Sequence, residues 1–166
     1  ENYISMILEK NKKINIISQN TASKKAIINR HIIDSAQIID FIDLNSNTTT
    51  DLGSGGGMPG IIVAIMLKNM KNNMTVHLYE KSYHKSCFLK EVSKKLNLNT
   101  EVNQKNIFEI KNLETGTIMS RAFKPMPIVL DLVYENFSKY KNVIFFMGKS
   151  GKKIFENSKN NWELDY

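Results

Sequence analysis

The chain has 166 residues, 42% of them hydrophobic, which suits one α/β core and is too short for two. Its one cysteine, Cys87, excludes an internal disulfide framework and a cysteine-based zinc site; no apolar run reaches membrane-spanning length, and no signal-peptide pattern is expected, so the expected compartment is the cytoplasm. The net charge of +7 invites a nucleic-acid partner, with composition bias toward Lys, Asn and Ile as the plain alternative. Only Arg30 and Arg121 are arginines, which points to two places where a planar, bidentate cation is needed.

In chain order, residues 4–8 predict the end of a short helix, followed by a basic corner at Lys10, Lys12 and Lys13. A second helix is expected from a cap at Thr21 or Ser23 to about Ile42, with Ile28, Ile32, Ile39 and Ile42 on its inward face. Within it, R-H-I-I-D-S at 30–35 places Asp34 within reach of Arg30 or His31, as a functional cluster or as an ordinary surface ion pair. Residues 48–64 then read T-T-T-D-L-G-S-G-G-G-M-P-G-I-I-V-A, a strand, a glycine loop and a helix capped near Gly57 or Met58. A ligand is expected over that strand's C-terminal end.

The loop admits two nucleoside ligands. From Gly55 it matches the dinucleotide spacing through Gly57 and Gly60, which alone is weak. From Asp51 it has the form seen in S-adenosylmethionine-dependent methyltransferases, where a carboxylate can hold the loop and attract a cationic cofactor but would repel a pyrophosphate.

A second strand over 75–79 ends in Glu80, a candidate acceptor for ribose hydroxyls with either ligand. A helix over 82–96 turns Phe88, Leu89, Val92 and Leu96 inward and carries Cys87 as a small packed residue; a third strand is expected over 100–103 and a fourth over 117–120. Arg121 then falls just past a strand end. A helix from about Pro127, a fifth strand over 143–147 and a possible sixth at 162–166 complete the reading. Gly148, Lys149 and Ser150 echo the end of a P-loop, but Val143 stands where its first glycine would be, so Lys149 reads as a basic rim residue.

Taken together, N-K-K-I-N at 11–15, R-H-I-I-D-S at 30–35, D-L-G-S-G-G-G-M-P-G at 51–60, K-S-C-F-L at 85–89 and S-R-A-F at 120–123 resemble one family over nearly the whole chain. It is the bacterial 16S ribosomal RNA guanine-N7 methyltransferases, formerly called glucose-inhibited division protein B. The resemblance implies a class I methyltransferase domain over 1–166, with a helical part at 1–44 and an S-adenosylmethionine-binding α/β core at 45–166. It implies action on 16S rRNA in the small ribosomal subunit at a guanine of the 530 loop; a monomer without metal is expected.

By the same resemblance the cofactor would meet Gly53 and Met58, the backbone at Asn106 and Ile107, and Arg121 at its methionine end, joining Asp51, Gly55, Gly57 and Glu80. Arg30, His31, Lys85 and Lys149 are the RNA candidates, and Arg121 the positioning candidate. The chain departs from the family at Lys10, where a Trp is usual, and at Lys105–Ile107, where an Arg, a small residue and a Glu are usual. Against the family's pattern the closing pair of strands is expected to be largely absent, which should leave the fifth strand with a bare edge. A non-catalytic rRNA-binding protein and an NAD-dependent oxidoreductase are the alternatives.

Overall fold

The structure is a computed structural model and describes residues 1–149 and 151–157. Five strands form one parallel sheet: β1 (Thr48–Leu52), β2 (Thr75–Tyr79), β3 (Thr100–Asn103), β5 (Thr117–Arg121) and β7 (Asn142–Phe146), in the order β3-β2-β1-β5-β7. The chain runs outward from β1 through β2 to β3, then crosses back to β5 on the other side. The strand order therefore reverses beside β1, and the carboxyl ends of β1, β2 and β5 open a crevice there. A short parallel pair, β4 (Leu113–Glu114) with β6 (Phe137–Lys139), lies outside this sheet and has no counterpart in the sequence reading.

Burial on both faces explains the central strand. Thr49 and Thr50 are buried, yet their hydroxyls are satisfied: Thr49 Oγ1 donates to the Thr117 carbonyl at 2.9 Å, and Thr50 Oγ1 bonds Thr115 Oγ1 at 3.1 Å. On one face α1 (Asn2–Asn11), α4 (Gly60–Asn69) and α5 (Tyr83–Leu96) pack with the helical segment 24–41, around Ile7, Ile27, Ile61, Val63, Phe88 and Leu89. On the other face α6 (Met126–Asn136) places Val129, Leu132 and Val133 against Leu52 and Ile118. The last described helix is α7 (Gly151–Asn157). No helix among the described residues is long and apolar enough to cross a membrane.

The segment 24–41 starts where Ser23 was expected to cap it, with Ser23 Oγ accepting the Ala26 amide at 3.2 Å. It is not one regular helix. α2 (Lys24–Ile27) and α3 (Ile33–Ala36) flank a π turn at Ile28–Ile32, and a 3-10 turn follows at Gln37–Phe41. A π turn holds more residues than an α turn, so a face counted at regular helical spacing drifts across it. The residues buried are Ile27, Ser35, Ile38 and Ile42, whereas Ile28, Ile32 and Ile39 are only partly covered.

At the far side, β7 pairs with β5 alone among the described residues, and its five residues are all half-buried. The expected sixth strand at 162–166, and Ser150, lie outside the described residues.

The shifted face makes a stability prediction. Ile27→Ala, at a fully buried position, should cost about 2–5 kcal/mol, and Ile33→Ala, at an exposed one, within about 0.5 kcal/mol, in urea denaturation.

Candidate active site

The carboxyl ends of the strands frame a cleft of about 640 Å³, lined by the glycine loop, Tyr79, Glu80, the turn after β3, the segment after β5 and the N-terminal stretch Ile16, Ile17 and Ser18. The loop is held from beneath. Asp51 Oδ2 accepts the Gly60 amide at 3.0 Å, so the carboxylate at the end of β1 satisfies the first amide of α4. A Cβ on Gly60 would stand 2.6 Å from that same oxygen. Helix α4 begins at Gly60 with Pro59 as its cap, two residues beyond the expected Gly57 and one beyond Met58, because Asp51 supplies the capping acceptor from another element.

Three more loop amides have protein partners. Ser54 N donates to the Tyr79 carbonyl at 3.0 Å, Gly57 N to the Ser54 carbonyl at 2.7 Å, and Gly55 N to Glu80 Oε2 at 2.9 Å. Glu80 Oε1 takes the Ser82 amide at 2.7 Å. Each Glu80 oxygen keeps a further lone pair for a hydroxyl donor.

Two of the expected cofactor residues do not reach the cleft. Asp51 is only 1% exposed, and burial pushes its carboxyl up to about 7 against the opposing effect of the Gly60 hydrogen bond. It holds the loop from beneath and does not line the cleft. Gly57 is buried at φ 95°, where an added Cβ would meet Ile61, the Tyr3 hydroxyl and Leu89, so its glycine serves packing. Tyr3, on α1, donates its hydroxyl to the Gly56 carbonyl at 2.5 Å. Gly53, Gly55, Met58, Glu80, Asn106, Ile107 and Arg121 do line the cleft.

Asn106 and Ile107 open the turn Ile107–Glu109, which Asn136 of α6 fastens. Nδ2 of Asn136 donates to the carbonyls of Ile107 at 3.0 Å, Phe108 at 3.2 Å and Ile110 at 2.6 Å, while its Oδ1 accepts Lys111 Nζ at 2.9 Å. Asn136 is 2% exposed, and nothing in its local sequence signals this role.

Arg121 stands at the tip of β5 and turns its guanidinium to the π turn. Nη2 donates to the Arg30 carbonyl at 2.6 Å and to His31 Nδ1 at 3.1 Å, and lies 3.5 Å from Asp34 Oδ2; Nη1 donates to Ser35 Oγ at 3.4 Å. The ring of Phe146 lies 5.5 Å from its Cζ. Asp34 therefore pairs with Arg121 across the fold, 87 residues away in sequence, in place of the local Arg30 partner. A guanidinium can only donate, so His31 Nδ1 accepts and Nε2–H donates to Thr21 Oγ1 at 3.1 Å. Burial, followed by the Arg121 charge, lowers the His31 pKa and favours this neutral ring.

Among the RNA candidates, His31 and Lys85 line the cleft together with Lys81, Lys105 and Lys124, whereas Arg30 and Lys149 are exposed outside it. Tyr79, Phe108 and Phe123 also line it and were not singled out from the sequence, although Phe123 closes the quoted S-R-A-F motif. Cys87, expected as a small packed residue, is half-buried on α5. Among the described residues no cluster of three His, Cys, Asp or Glu side chains is placed to hold a metal ion.

The model of the family described as rRNA small subunit methyltransferase G matches residues 1–166. The chain belongs to this family. A relative from Pelagibacter ubique named "Ribosomal RNA small subunit methyltransferase G" is 64% identical over 164 residues, covering 99% of this chain and 77% of the relative. One of the same name from Bartonella tribocorum is 34% identical, covering 97% and 75%. Among solved structures, an S-adenosylmethionine-dependent O-methyltransferase from Thermotoga maritima superposes with a TM-score of 0.63 at 15% identity, over 94% of this chain and 54% of that one. Coclaurine N-methyltransferase bound to N-methylheliamine and S-adenosylhomocysteine superposes at 0.59 and 22% identity, over 87% and 42%. The methyltransferase G family thus shares with them the class I methyltransferase fold.

The buried carboxyl sets a pH dependence. Asp51 keeps its proton to about 7 in the fold but ionises near 3.8 when unfolded, so between those values the native chain binds the extra proton and loses stability as pH rises. Asp51→Asn should remove this slope. Urea denaturation should show the wild type losing stability relative to the variant up to about pH 7, with no further divergence above it.

Proposed function

We propose that the protein transfers a methyl group from S-adenosylmethionine to N7 of a guanine in the 530 loop of small-subunit rRNA, in the cytoplasm. One observation carries the choice of cofactor. The amides of Ser54, Gly55, Gly57 and Gly60 all donate to protein acceptors, and the carboxyl groups of Asp51 and Glu80 sit under the loop. A pyrophosphate needs free amides and positive potential at this place; four engaged amides and Glu80 at the cleft wall favour a cationic ligand over NAD.

The residues present fit that ligand. Gly53, Gly55 and Met58 would flank its methionine part, Glu80 would accept from its ribose, and the backbone at Asn106 and Ile107 would border its adenine. When bound, S-adenosylmethionine supplies a methyl carbon whose C–S bond breaks with its electron pair going to sulfur as the N–C bond forms, and the positive charge passes to the guanine ring.

The choice of N7 rests on what the cleft offers. Asp51 and Glu80 are hydrogen-bonded to backbone amides, and His31 Nδ1 is held by Arg121, so none stands ready as a general base. Guanine N7 carries an in-plane lone pair and loses no proton on methylation. What the protein supplies is position. Arg121 fixes the π turn over one end of the cleft. Lys81, Lys85, Lys105 and Lys124 on the rim, with Arg30 and Lys149 outside it, would meet RNA phosphates.

The test is transfer of labelled methyl to small ribosomal subunits lacking the modification, followed by chemical cleavage at 7-methylguanine. Cleavage within the 530 loop is expected, and Arg121→Ala should lower transfer by about 10-fold or more. Cleavage elsewhere, or an Arg121→Ala variant with intact turnover and cofactor affinity, would contradict the corresponding assignment.

A further inference from the structure

Just beyond Arg121 the chain does something costly. Ala122 adopts φ 50°, a left-handed conformation that an alanine takes only under constraint. This turn lays the ring of Phe123 over Gly53, so closely that a Cβ there would stand 2.2 Å from Phe123 Cδ2. Gly53 itself has φ 70°. Opposite, Phe108 leaves the turn pinned by Asn136 and stays 37% exposed. The two rings have centroids 6.0 Å apart and planes inclined by 33°, and both line the cleft. Lys105 and Lys124, both exposed, line it beside them.

An exposed aromatic surface between two cations suits a base on its nucleic-acid backbone, with the π faces stacking the base and the ammonium groups meeting the flanking phosphates. We propose that Phe108 and Phe123 form the platform on which the target guanine stacks. This rests on the N7 reading and adds a reason for it. Methylation at N7 makes the guanine ring cationic, and an aromatic face attracts a cationic ring more than a neutral one. The platform would therefore stabilise the base more as the reaction proceeds than before it, which raises kcat and does more than lower KM. The strained backbone at Ala122 and the fastening of the 107–110 turn by Asn136 hold the rings in place.

The experiment compares wild type, Phe123→Leu and Phe123→Trp. It measures kcat on unmodified small subunits, affinity for S-adenosylhomocysteine by equilibrium titration, and affinity of the S-adenosylhomocysteine-loaded protein for 7-methylguanosine monophosphate against guanosine monophosphate. Leucine keeps an apolar side chain over Gly53 but has no π face, so kcat should fall by about 10-fold with S-adenosylhomocysteine affinity kept within about 3-fold. Wild type should prefer the methylated nucleotide, Phe123→Leu should lose the preference, and Phe123→Trp should keep it. Unchanged kcat in Phe123→Leu, with the product still at N7, would overturn the platform alone. A loss of S-adenosylhomocysteine affinity as large as the loss of kcat would also overturn it, by making Phe123 a cofactor contact. Methyl transfer by the wild type to another atom would overturn the N7 reading and the charge argument with it.

Discussion

The hydrogen bond from the Gly60 amide to Asp51 Oδ2 is the constraint on which the site depends. It joins the end of the central strand to the first turn of α4, and the glycine loop must close over the distance between them. The tight loop leaves its amides facing protein acceptors: Ser54 toward Tyr79, Gly55 toward Glu80 and Gly57 toward Ser54. The result is a loop in which these amides and that of Gly60 are taken by protein acceptors, with the Glu80 carboxyl group at the cleft wall. Geometry and electrostatics thus select the ligand class together.

A second tie closes the cleft from the other side. The N-terminal helical part is joined to the sheet edge through polar contacts as well as apolar packing. Tyr3 reaches the loop at Gly56, Asn11 Oδ1 accepts the Ile16 and Ile17 amides at 2.8 and 3.0 Å and so holds the stretch that walls the cleft, and Arg121 binds the π turn. The π turn and the Arg121 contacts fall on the same residues, and π turns often mark functional places in helices. An arginine suits this junction because one planar group meets a carbonyl, an imidazole nitrogen, a hydroxyl and a carboxylate at once. The site is thus assembled from the N-terminal helical part and the strand tips together.

Much of this was legible in the residues. The parallel strands, the glycine loop, Glu80 at the tip of β2 and Arg121 at the tip of β5 follow from local patterns that physics makes strong, namely glycine spacing, β-branched runs and acidic or basic residues at strand ends. Ser23 as a cap was legible for the same reason. The misplaced features depend on tertiary partners. Ile28 and Ile32 were assigned to the inward face because regular spacing cannot foresee a π turn. Asp51 was expected both to hold the loop and to meet the cofactor, and the sequence does not show that the Gly60 amide would take its carboxyl group while burial keeps it out of the cleft. Asp34 was matched to a neighbour on its own helix, while its partner lies on β5. Asn136 and Phe108 carry no local motif and acquire their roles only when α6 and the turn after β3 meet.

The central claim is that the strand tips hold a cationic methyl donor or its product and not a dinucleotide. Equilibrium titration of the chain with S-adenosylhomocysteine and, separately, with NADH tests it most directly. The account predicts saturable binding of S-adenosylhomocysteine at one site, lost in Gly53→Val, where a side chain would collide with Phe123, and no saturable binding of NADH. Saturable NADH binding that Gly53→Val abolishes, with no binding of S-adenosylhomocysteine, would contradict it.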